Sequence, residues 1–170
     1  MNRVYKVKRS ITLPLILAVI LSIPVFALSV RSDAATAKLV WTFILMLLFY
    51  GFALNKIIQR VSMVEDRLEF RSMFGRHNIG LDDIRGIEGA TMGSRQFIIL
   101  NTGGAPRHFS NSLDGFNDLT ADLMAATPPT VHGEGLHEIV NHPIINRRDA
   151  LAPWIAVLVL LMLLFANLPL

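Results

Sequence analysis

The sequence predicts an α+β membrane protein, with three transmembrane helices and one small antiparallel β domain capped by a single C-terminal helix. Three observations carry this reading. Of 170 residues, 52% are hydrophobic and only 17% are charged, far from the balance of a soluble domain. The apolar excess is gathered in three runs, 11–30, 39–58 and 151–170, each near the roughly 20 residues a helix needs to cross a bilayer core. Between the second and third runs, residues 61–127 are polar enough to fold in water, and apolar residues there recur with a period of two.

Taken in order, residues 1–10 read as a basic cytoplasmic N-terminus carrying Arg3, Lys6, Lys8 and Arg9. Residues 11–58 then form a transmembrane helical hairpin with a short loop between its two runs. Pro14 lies near the start of the first run, where a missing N–H costs little, and Pro24 lies deep enough to predict a kink. A basic head followed by an apolar stretch also has the form of a cleaved signal peptide, with Ala35, Thr36 and Ala37 as a small-residue site. The run is longer than a signal core, however, and Arg31 and Asp33 separate it from that site, so an uncleaved helix is expected. Trp41 suits the outer interface and Lys56 suits the cytoplasmic one.

Cations near the runs set orientation. Arg3, Lys6, Lys8, Arg9, Lys56, Arg60, Arg147 and Arg148 lie on one side of this topology, against Arg31 and Lys38 on the other. This predicts a cytoplasmic N-terminus and β domain, with the C-terminus outside.

Within the polar middle, Leu68, Phe70, Ser72 and Phe74 alternate with Arg67, Glu69, Arg71 and Met73, the pattern of a half-buried strand. Glu65 with Asp66, and Gly75 with Arg76, read as turns, so residues 61–64 and 77–81 are expected to pair on either side. A short segment over 84–88 follows Asp82 and Asp83. Residues 96–100 and 107–109 flank Asn101, Thr102, Gly103 and Gly104, a hairpin signal. Asn111, Ser112 and Asp114 are candidate N-caps for a helix whose Phe116, Leu119 and Leu123 share one face up to Ala126, and Pro128 with Pro129 stops it.

Several stretches together resemble the bacterial PH-like domains of small membrane proteins of uncharacterised function. They are Leu68, Glu69 and Phe70 followed by Met73, Phe74, Gly75 and Arg76; then Ile79 through Ile84 with Asp82 and Asp83; then Ser110, Asn111 and Ser112 leading to Phe116 and Leu119. The resemblance covers 61–127 and the preceding hairpin. It implies a PH-like antiparallel β barrel or sandwich capped by one helix, in a multi-pass protein of the bacterial inner (cytoplasmic) membrane. The third transmembrane helix, 151–170, departs from that pattern.

Residues 128–150 are expected to be a mobile polar connector, with Pro128, Pro129, Gly133, Gly135 and Pro143. Its histidines, His132, His137 and His142, are the candidate metal ligands. The spacing of His137 and His142 is one residue too long for a zinc-protease helix, turning the second ligand about 140° from the first, so solvated histidines are expected. Gly86, Gly89 and Gly93 lack the Lys-Ser/Thr ending of a phosphate cradle and read as a flexible strand connection. Ser110, His77, His108, Asp82 and Asp83 assemble into a hydrolytic set only on paper. No cysteine is present, which excludes disulfides, thiolate metal sites and a thiol nucleophile.

Charge narrows the rest. Residues 61–127 hold six Arg, no Lys and nine Asp or Glu, which argues against nucleic-acid binding. Arg71 with Arg76, and Arg95 with Arg107, are candidate local anion sites, solvated strand-face charges being the expectation. The expected function is therefore not enzymatic and needs no cofactor. It is that of a membrane-anchored binding or scaffold module, an accessory or assembly subunit meeting a protein partner or further copies of itself. Arg95, Phe97, Arg107 and Phe109 are the candidate partner-binding residues, on the hairpin taken as an exposed sheet edge. A metal-binding or hydrolytic protein using the His-rich connector and a lipid-headgroup-binding domain are the alternatives.

Overall fold

Local sequence signals become elements throughout the computed structural model, which describes residues 2–31, 36–146 and 148–166. Asp33 and Ala35, beside the small-residue site, and Arg147, one of the orienting cations, lie outside the described residues. The chain divides into two units, Met1–Lys8 with Ile58–Arg147 and Arg9–Ile57 with Arg148–Leu170.

The helical unit contains α1 (Arg9–Arg31), α2 (Thr36–Ile58) and α5 (Arg148–Ala166), all long and apolar enough to cross a membrane. α1 runs through both of its prolines without interruption. It packs along α5, and its Ile11, Leu15 and Ala18 are buried. Against α2, Ser22 Oγ lies 2.7 Å from the Tyr50 hydroxyl, and the Phe26 and Phe43 rings are 6.2 Å apart. The partner number falls as the α1 number rises, so the two helices are antiparallel.

The second unit begins where only a basic tail was expected. Residues 2–6 are a strand, β1 (Asn2–Lys6), antiparallel to β2 (Arg60–Val64). Two neighbouring strands are thus separated in sequence by α1 and α2. The sheet continues through β3 (Arg67–Ser72) and β4 (Gly75–Gly80) in the order β1-β2-β3-β4. Its inner face buries Tyr5, Val61, Met63, Leu68 and Ile79. The turn after β3 falls on Met73 and Phe74, not on Gly75 and Arg76. Phe74 is therefore not part of the inward set and is 84% exposed.

A second antiparallel sheet has the order β5-β6-β7, formed by β5 (Gly86–Met92), β6 (Arg95–Asn101) and β7 (Arg107–Ser110). Ile87, Ile98, Leu100 and Phe109 are its buried residues, and the Phe109 ring meets Phe70 of the first sheet edge-on at 5.7 Å. The sheets do not close into a barrel; the arrangement is two antiparallel sheets. Beyond β7 the chain turns back on β1. Lys8 N–H donates to the Ser112 carbonyl at 3.0 Å and Asp114 N–H to the Lys6 carbonyl at 2.7 Å.

The helix expected up to Ala126 is α3 (Phe116–Ala126), burying Phe116, Leu119, Thr120 and Leu123. Its N-cap is Gly115 in the left-handed conformation, φ 68°, with no side-chain cap. Asn111 and Ser112, expected as caps, are buried and bonded elsewhere. α3 is tied to β1 by Asp122, which accepts from the Tyr5 hydroxyl at 2.6 Å and from the Arg3 guanidinium at 3.0 Å. Burial and then this carboxylate hold the Tyr5 phenol up at about 12, above its usual 10.0. A raised folded-state value means that neutral Tyr5 contributes stability below pH 10, lost as pH climbs through about 12. Tyr5→Phe is expected to remove that alkaline dependence. It should also cost about 1 kcal/mol, the worth of one hydrogen bond, seen as roughly fivefold faster hydrogen exchange at the β1 amides.

Candidate functional site

The segment expected to be a mobile connector is instead part of the β unit. After Pro128 come a 3-10 turn over Pro129–Val131 and α4 (Leu136–Asn141), with Leu136 and Ile139 fully buried. Residues 132–134 run beside β5 as an added parallel edge. His132 bridges Ile87, Gly133 N–H donates to the Ile87 carbonyl at 2.8 Å, and Gly89 N–H donates to the Glu134 carbonyl at 3.0 Å. Two amides hold the rest of the arm. Gln96, 1% exposed, donates from Nε2 to the His142 carbonyl and accepts at Oε1 from Ile144 N–H, both at 2.9 Å. Asn111 donates from Nδ2 to the Ser94 and Ile144 carbonyls at 3.1 and 3.0 Å. A buried amide with both ends satisfied fixes position as well as energy.

This packing explains the glycines. Gly86 and Gly89 belong to strand β5 and are neither a phosphate cradle nor a flexible connection. Gly89 and Gly135 lie backbone against backbone, and a methyl on either would overlap the other's main chain.

The three histidines have different surroundings. His132 Nε2 is 2.9 Å from Thr127 Oγ1, whose single proton goes to the Leu123 carbonyl at 2.7 Å. Nε2 of His132 must therefore carry the hydrogen in this bond, and that nitrogen has no lone pair for a metal. The His137 ring is 6.5 Å from it, centroid to centroid, and His137 and His142 are exposed. Among the described residues no group of three or more His, Cys, Asp or Glu side chains is placed to hold a metal ion.

The hydrolytic set is not assembled either. Ser110 Oγ is 2.7 Å from Ser112 Oγ, and among the described residues it makes no bond to His77, His108, Asp82 or Asp83. A cavity of about 270 Å³ lies where the chain turns back on β1, lined by Lys8, Asn111, Phe116, Ile144 and Ile145 among others. That is below the usual range for small-molecule sites, which starts at roughly 300 Å³.

The candidate partner hairpin is a sheet edge only in its second strand. β6, carrying Arg95 and Phe97, is the central strand of its sheet, paired on both sides, so it is no edge. Phe109 is buried in the core; Arg107 and Phe97 are half-buried, and Arg95 is exposed. β7, which carries Arg107 and Phe109, is the terminal strand of that sheet, and a further open edge is β4. β4 is the terminal strand of the first sheet, and Gly75, Arg76, His77 and Asn78 are exposed along it. Sequence alternation marks a strand but not its place in a sheet, so β4 gave no sign of being terminal. No protein-family model, curated protein or solved structure matches the chain.

Gly89→Ala is expected to displace the 132–146 arm while leaving the first sheet in place. Limited proteolysis should then cleave within 128–146 at least tenfold faster than in the native chain, with β2 and β3 still protected.

Proposed function

We propose that this chain is a membrane-anchored, non-enzymatic docking protein, an accessory or assembly subunit of a membrane complex. Its β unit, read as PH-like, would lie on the cytoplasmic side of a bacterial inner membrane. The observation that carries the reading is the unpaired edge of β4, exposed along four of its six residues. Unpaired strand N–H and C=O groups are a template for an added strand, and most proteins protect such edges. Of the other three edges two carry cover, and the third, β7, is four residues long with only His108 exposed. β1 is backed by residues 112–114, and β5 by residues 132–134.

Three helices long and apolar enough to span a membrane support the anchoring. The pairing of β1 with β2 supports the topology, because it requires the chain to leave and re-enter the sheet on one side. Eight flanking cations on that side agree with it. The occupant proposed for β4 is an extended segment of a partner membrane protein, held by main-chain hydrogen bonds.

A photo-crosslinking side chain placed at Asn78 in native membranes is expected to give one discrete adduct larger than the chain itself. The same group at Thr102, in the β6–β7 loop, should give none. An adduct of two copies would replace the partner by self-pairing, and equal yields at both positions would remove β4 as the docking edge.

A further inference from the structure

The register of the first sheet puts four cations in one row. Lys6 pairs with Arg60, Arg60 with Arg71, and Arg71 with Arg76. Directly opposed residues share a face, so these side chains line the outer face from edge to edge, about 14 Å across three inter-strand steps. Like charges opposite one another destabilise a sheet. Among the described residues the one carboxylate within ion-pair distance of the row is Glu69, 3.9 Å from Arg76. Such a row calls for an anion.

Its place in the sheet says which anion. The row lies at the end where the chain passes into α1, three residues after Lys6, and returns from α2, two residues before Arg60. Exposed apolar tips project from the same end. One step beyond the Arg71–Arg76 pair is the β3–β4 turn, with Phe74 84% and Met73 47% exposed. The β5–β6 turn belongs to this end too, because Ser94 is bonded to Asn111, which precedes the 112–114 stretch on β1; there Met92 is 77% exposed. The opposite end of the first sheet is acidic, with Glu65, Asp66, Asp82 and Asp83 all exposed. The net acidity of residues 61–127 is thus segregated from the cationic end. Asp114 and Asp118, at the start of α3, are carboxylates of the cationic end and leave its cations in excess.

We propose that this end of the β unit is a lipid-facing surface, with Phe74 and Met92 inserting into the headgroup layer and the Lys6–Arg60–Arg71–Arg76 row contacting lipid phosphates. Apolar tips framed by cations suit the interface of an anionic leaflet, where ring and methyl groups leave water while the charges stay among headgroups. The occupant is the bilayer that receives the chain's own helices, so binding is intramolecular and weak individual contacts suffice.

The test uses the full chain in nanodiscs, with Phe74→Trp in a Trp41→Phe, Trp154→Phe background and brominated phospholipid as quencher. Quenching is expected in discs containing phosphatidylglycerol. It should weaken in pure phosphatidylcholine, at high salt, and in a further Arg71→Gln, Arg76→Gln variant, by roughly thirtyfold in the ratio of docked to undocked forms for the two lost cations. Met92→Trp in the same background should behave alike, and it reports independently if the arginine variant misfolds. Unquenched tryptophan at both positions, or quenching indifferent to lipid charge and salt, would overturn the proposal. So would an equal emission shift on adding inorganic phosphate to the detergent-solubilised chain, since the row would then be a site for free phosphate.

Discussion

Everything in the β unit depends on one pairing, the five-residue antiparallel ladder of β1 with β2 across the inserted α1 and α2. Without it, β2 is an edge strand with Val61 and Met63 uncovered. With it, both ends of the helical hairpin are pinned to one end of one sheet. The Tyr5–Asp122 bond extends the tie to α3, and the Lys8–Ser112 and Asp114–Lys6 bonds extend it to the end of the second sheet. A strand of five residues is weak alone; these side contacts let it hold against the entropy of a fifty-residue insertion, since loop-closure cost grows only slowly with length.

A second tie works from the other end of the chain. Gln96 and Asn111 each spend their buried amide on the 142–146 stretch, and the Gly89–Gly135 approach lets residues 132–136 lie flat against β5. The unit is therefore assembled from two pieces of sequence, Met1–Lys8 and Ile58–Arg147. That explains how a domain of unlike ends acquires a fixed polarity, cationic and apolar-tipped at one end and acidic at the other.

The sequence made the middle of this domain legible and its margins illegible, for physical reasons. The strands at 60–64, 67–72 and 95–101 and the helix at 116–126 announce themselves through period two or 3.6, because each buries one face in a local pattern. β1 and the residue after it carry the same alternation in Tyr5 and Val7, but Arg3, Lys6 and Lys8 fall where a membrane helix would have its basic flank. The 128–146 arm buries only Leu136 and Ile139 deeply within α4. Its other holds are hydrogen bonds to Gln96 46 and 48 residues away, which periodicity does not report. Phe74 was assigned inward because alternation does not mark where a strand ends. Counting residues 61–127 omitted Lys6 and Arg60, and a sum hides the segregation that register reveals.

The pairing of β1 with β2 is directly measurable, because the chain has no cysteine of its own. Val4 and Ser62 are opposed in register, so their Cα atoms lie within the range a disulfide spans. In the membrane-embedded chain carrying Val4→Cys and Ser62→Cys, mild oxidation is expected to close an intramolecular disulfide rapidly and nearly completely, while Val4→Cys with Glu65→Cys closes slowly. Equal, slow closure of the two pairs would mean that residues 2–6 are a free tail, and the discontinuous domain with its polar ends would fall with them.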